Sequence, residues 1–77
     1  MKVEMYWADH AAPHIHVRHG GDVVVVDIRS AQIAQGRLAK GPKKILLQWV
    51  LDHTDDLLNN WDRGEALVPL EPIDPPE

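Results

Sequence analysis

The chain contains no cysteine and no phenylalanine. Without thiols, neither a disulfide nor a thiolate-held metal can staple it, so its 77 residues must rest on one hydrophobic core. The same absence fits a reducing compartment. No apolar run approaches the roughly 20 residues that a membrane-spanning helix needs, and no basic-then-apolar leader opens the sequence. The expectation is a cytoplasmic, soluble protein with no membrane partner. An excess of basic charge is also missing, because the formal net charge is −4. That figure hides a split. Residues 1–51 carry seven Lys/Arg against four acids, whereas residues 52–77 carry eight acids against Arg63 alone. Such asymmetry suits an anion-binding half and a solvating tail.

A chain of this length makes one domain that hides only about 60–65 % of its unfolded surface. Its net stability should be about 4–11 kcal/mol, which a partner or a second copy, as in a homodimer, could supplement.

Val3-Glu4-Met5-Tyr6-Trp7 alternates as a strand does, and Ala8 to Pro13 reads as a turn. Pro13 pushes Ala12 towards an extended shape, which suits entry to a second strand over His14–His19. Gly20-Gly21-Asp22 predicts a tight hairpin turn. Val23 to Ile28 reads as a central strand covered on both faces for part of its length, because four consecutive valines are too continuous for a half-exposed strand. Gln32 to Leu38 should be a weaker edge strand. Gly41-Pro42 predicts the start of one helix, with Leu46, Trp49, Val50, Leu57 and Trp61 at helical spacing and Gly64 as its stop. The expected fold is α+β: an antiparallel sheet of three to four strands with one amphipathic C-terminal helix packed on one face. Residues 1–64 form the domain and 65–77 an acidic, proline-rich extended tail.

The stretch Asp9-His10-Ala11-Ala12-Pro13-His14-Ile15-His16-Val17-Arg18 concentrates the chemistry. Strand side chains alternate, so His14, His16 and Arg18 share one face, with the two histidine Cα atoms about 6.6–6.8 Å apart. His10 and Asp9, in the preceding turn, can fold back towards them. Three readings compete. His10, His14 and His16, with Asp9, could hold a divalent metal such as Zn, Ni or Mn. Alternatively, His14 and His16, with His10, could act as acid and base without metal, Arg18 neutralising a phosphate-like transition state. Or the imidazoles simply pack beside the turn and bond to backbone.

Lys40, Lys43 and Lys44 surround the expected helix start, where cations oppose the dipole. With free helix amides they make a phosphate-binding set, and joined to the histidines they point to a nucleic-acid backbone. The aromatic platform of a single-strand binder looks thin, since Trp49 and Trp61 fall on the core stripe. His53 falls there too, as an interior or boundary histidine.

The segment Met5-Tyr6-Trp7-Ala8-Asp9-His10-Ala11-Ala12-Pro13-His14-Ile15-His16-Val17 resembles the bacterial domain of unknown function 4160. Its pattern is a strand, then Asp-His-x-x-Pro-His-aromatic-His-Val. A strand ending in Asp-Ile follows, then Gly-x-Leu-x-Lys and a helix. Here these are Val23 to Ile28, Gly36-Arg37-Leu38-Ala39-Lys40, and the helix with Trp49 and Asn60-Trp61, so the likeness spans about residues 3–62. Ala11 and Ala12 replace Asn-Pro, Ile15 replaces an aromatic, and the N-terminus is shorter, from which the loss of an edge strand is expected. The resemblance implies a gene neighbourhood like that of a toxin–antitoxin pair, and hence a small cognate protein as partner. HicA-type RNA-cleaving toxins share a strand histidine, a hairpin and a Gly-x-Leu turn, but this chain lacks their leading helix. The leading expectation is an RNA-binding and RNA-cleaving component of such a pair. The alternatives are a metal-binding protein and a non-catalytic interaction or regulatory module using the tail.

Overall fold

The computed structural model describes residues 1–7, 11–67 and 69–76. Strands β1 (Lys2–Glu4), β2 (His14–His19), β3 (Asp22–Asp27) and β4 (Gln32–Gln35) precede helices α1 (Lys40–Asp52) and α2 (Thr54–Glu65). The strands form one antiparallel sheet in the order β1-β2-β3-β4. The class is therefore α+β, with four strands.

Alternation sets which face is which. Ile15 and Val17 on β2 lie opposite Val26 and Val24 on β3, and all four are buried. Leu46, Trp49 and Val50 of α1 and Leu57 of α2 close over them, joined by Ile28. A period-2 apolar set on two central strands can hide only against such a layer. Their neighbours, His14, His16 and Arg18 with Val23 and Val25, fall on the other face. On the outer face Val23 is 46 % exposed and Val25 half-buried, so the second face of the valine run is covered only in part.

The Gly20-Gly21 turn joins β2 to β3 as its composition predicts, and β4 is the expected edge strand, ending at Gln35. Beyond it Gly36 adopts φ +84°, and a Cβ there would strike the Val23 carbonyl, which explains the glycine that opens Gly36-x-Leu38-x-Lys40.

Two corrections concern the helices. The apolar stripe predicts one helix, but the chain breaks at His53 (φ −119°, ψ 19°) into two. The His53 N–H still reaches the Trp49 and Val50 carbonyls, while the Thr54 hydroxyl donates to the Val50 carbonyl at 2.8 Å. Side-chain competition for a carbonyl in this way bends helices. Gly64 is not the stop either. α2 runs on to Glu65, and the left-handed residue is Leu67 at φ 58°.

Residues 69–76 form no helix or strand and lie along the helices, with Ile73 against the core and Pro76 buried. No helix is long and apolar enough to cross a membrane among the described residues.

Candidate functional site

The site begins with Pro13. Its carbonyl accepts the Ile28 N–H at 3.0 Å, which ties the entrance of β2 to the end of β3. The next residue, His14, donates from Nδ1 to the Ala12 carbonyl at 2.8 Å. A carbonyl can only accept, so the bond assigns a proton to Nδ1 and leaves Nε2 as the nitrogen not engaged by it. Two residues on, His16 brings its ring to 5.4 Å from that of His14.

The two imidazoles are the middle of a longer row. The Tyr6 ring meets His16 edge-on at 4.8 Å, and His14 lies 5.1 Å from Trp61 of α2. Trp61 in turn is 5.6 Å from Trp7, whose indole Nε1–H donates to the Trp61 carbonyl at 2.9 Å. Five rings thus run Tyr6, His16, His14, Trp61, Trp7, each within the 4.5–7 Å over which aromatic pairs attract. Trp61 is buried at the base of the row, whereas Tyr6 and Trp7 are 48 % and 37 % exposed.

Gly64 explains how Trp7 reaches this position. A Cβ at residue 64 would overlap the Trp7 indole, so the helix presents bare backbone to the ring.

At the Tyr6 end the row is anchored by charge. Glu4 lies opposite His16 across the β1–β2 pair. It accepts the Tyr6 hydroxyl at 2.6 Å on one oxygen and the Arg18 Nε at 2.8 Å on the other. These two donors, Tyr6 first and Arg18 second, hold the Glu4 carboxyl below its usual value. The same bonds to Glu4 raise the Tyr6 phenol and the Arg18 guanidinium above theirs.

Of the candidates read from the sequence, the structure brings together His14 and His16, with Arg18 on the same face as an ion-pair partner of Glu4. Asp9 and His10 lie outside the described residues. Among the described residues, no group of three or more His, Asp or Glu side chains is disposed to hold a metal. Lys40, Lys43 and Lys44 are exposed on the first turns of α1, and no hydrogen bond, ion pair or ring contact among the described residues joins them to the imidazoles. His53 stacks on Trp49 at 4.9 Å and donates from Nδ1 to its carbonyl, the boundary role its position implies.

Glu4, Tyr6, Trp7 and Trp61 were not legible as site residues. The available signal was parity: Glu4 ends the strand that pairs with β2, and Tyr6 follows it two residues on. Trp61 is as buried as its helical spacing implies, but beneath His14 and Trp7.

A family model, domain of unknown function (DUF4160), matches residues 1–62. The chain belongs to the DUF4160 family. No curated protein and no solved structure matches it. The DUF4160 match takes in every ring of the row as well as Glu4 and Arg18, and it stops short of the tail.

Proposed function

We propose that this chain is an RNA-binding component of a two-protein, toxin–antitoxin-like module, and that it cleaves RNA without metal at the His14–His16 pair. The observation that carries the reading is the continuous row of five rings with His14, its Nδ1 held on a carbonyl, near its centre. Unstacked bases are read by lying on such rings, at about 1–3 kcal/mol per base. Tertiary contact gathers the five rings, and the exposed Tyr6 and Trp7 at the ends of the row are what support a platform for bases. The two-protein part of the reading comes from the family resemblance.

The chemistry needs two proton transfers. His14 Nε2 takes the proton from a ribose 2′-hydroxyl as its oxygen bonds to phosphorus. His16, in its protonated form, gives a proton to the departing 5′-oxygen. The products are a 2′,3′-cyclic phosphate end and a 5′-hydroxyl end, and no water is consumed. Arg18 is exposed and holds Glu4 through Nε, so the rest of its guanidinium can face a phosphate.

Labelled single-stranded RNA incubated with the chain in excess chelator tests this. Cyclic-phosphate ends are expected, with a rate loss of about 100-fold or more for His14→Ala and for His16→Ala, the usual worth of a positioned acid or base. Tyr6→Ala should weaken RNA binding. Intact RNA, together with His16→Ala binding it as the unaltered chain does, would falsify the reading.

One observation favours a second reading. An imidazole whose Nδ1 is fixed on a carbonyl is also how proteins orient a metal-binding histidine. Zinc, nickel or manganese held by His14 and His16 with His10 or Asp9 would raise the melting temperature, and chelator would reverse the rise. Unchanged melting across all three ions would dismiss it.

A further inference from the structure

The tail carries a repeat of its own. Residues 69–77 read Pro-Leu-Glu, Pro-Ile-Asp, Pro-Pro-Glu: three triplets of proline, apolar residue and acid. Polyproline II geometry has three residues per turn, so one position of each triplet can face the same way along the strand. Leu70, Ile73 and Pro76 take that position. Pro76 is buried, Ile73 packs against the core, and Leu70 lines the space between tail and domain.

The domain meets this segment with donors and an acceptor aimed at its backbone. Asn60 is 5 % exposed and binds Glu71 twice, donating to its carbonyl and accepting its N–H, both at 2.8 Å. The Trp49 indole donates to the Asp74 carbonyl, three residues on, at 2.8 Å. Arg63 donates to the Pro69 carbonyl at 2.7 Å and faces the Glu71 carboxylate at 3.4 Å. The domain thus holds the main chain of Pro69, Glu71 and Asp74, at intervals of two and three residues. Tail side chains supply apolar bulk and negative charge, and the Glu71 carboxylate accepts the Asn59 amide at 3.2 Å beside Arg63. The fit is incomplete. A cavity of about 450 Å³, lined by Met1, Val3, Met5 and Leu57, remains beneath Leu70 and Ile73. Trp49 and Asn60 fall within the family match, whereas the segment they hold lies beyond it.

We propose that the groove between β1 and the two helices is a receptor for a proline-rich, acidic, polyproline-II-type segment of a partner protein, and that residues 69–76 are its resident competitor. Aromatic-lined grooves that hydrogen-bond to carbonyls are a general means of capturing such segments, because the ligand is already extended and loses little entropy. The vacant apolar space gives a partner with bulkier residues at the Leu70 and Ile73 positions an advantage over the tail. This inference is independent of the RNA reading, since it uses the other face of the sheet and different side chains.

A labelled synthetic peptide of residues 66–77 is the probe, titrated into the full-length chain and into full-length chain carrying Leu70→Asp and Ile73→Asp, which disfavour its own tail in the groove. A tethered tail competes at an effective concentration near the millimolar range, so the substituted chain should bind the peptide at least tenfold more tightly than the unaltered one. Adding Asn60→Asp, which removes the amide donor, should weaken that binding at least tenfold. Equal binding by both chains, no saturable binding, or indifference to Asn60→Asp overturns the proposal. So does failure of the substituted chain to fold, which would make the tail a structural layer. Hydrogen exchange on the unaltered chain gives a second reading: the Glu71 amide should exchange by local opening, faster than the Ile15 and Val26 amides. Exchange of all three at one common rate refutes displacement. A dimer in solution that the two aspartates dissolve would assign the groove to the tail of a second copy instead, and the partner-segment proposal would fall.

Discussion

At the scale of single residues, Glu4 organises one end of the ring row. Its two oxygens hold Tyr6 and Arg18, the second a diagonal neighbour across the β1–β2 pair. The carboxyl is held below its usual value of 4.5, so folding is favoured whenever the group is ionised. The stabilisation is fully present above that value and disappears as pH falls through the lower value of the folded protein. Melting curves of the unaltered chain and Glu4→Gln, recorded from pH 7 to pH 2, should therefore differ at neutral pH and converge in acid. A constant offset across the range would mean that packing, and not charge, explains the difference. Nothing in the local sequence singles Glu4 out, since an acid at an outward strand position is ordinary. Its role depends on the register Glu4↔His16, which cannot be read from the strand's own residues.

Elements differ in how openly the sequence declares them. The bounds of β2 and the turn after it are legible because proline, alternation and a glycine pair are local signals, and the outward placement of His14 and His16 follows from them. The division of the helices is not, because Leu46, Trp49, Val50, Leu57 and Trp61 keep helical phase across the break and neither glycine nor proline marks it. Gly64 looks like a terminator from its residue type, yet its place is decided by Trp7, 57 positions earlier in the chain. This yields a prediction with an unusual sign. In an exposed helix, glycine to alanine should stabilise by about 1 kcal/mol. In α2, Gly64→Ala must push the Trp7 indole off the helix, costing its bond to the Trp61 carbonyl and part of its contact with that ring. Urea unfolding should show a net loss of about 1–2 kcal/mol, in the range of overpacking, with the indole N–H resonance of Trp7 displaced. A more stable variant with Trp7 unmoved would contradict the packing described.

For the molecule as a whole, alternation on β2 puts core and candidate chemistry on opposite faces of one strand. Ile15 is fully buried with Val17, while His14 and His16 are half-buried on the other side. A domain of this size has only about 4–11 kcal/mol in hand. Ile15→Ala should cost about 2–5 kcal/mol, a large share of that total, and should unfold the chain at low urea. His16→Ala removes edge contacts from an accessible ring, each worth about 0.5–1.5 kcal/mol, so it should leave the midpoint much closer to that of the unaltered chain. Urea titrations of both variants check the contrast. If it holds, any activity lost in His16→Ala is lost from a folded protein and belongs to the imidazole. If His16→Ala is as costly as Ile15→Ala, the ring row is part of the fold itself, and the histidines would be there to close the sheet's second face rather than to meet a substrate.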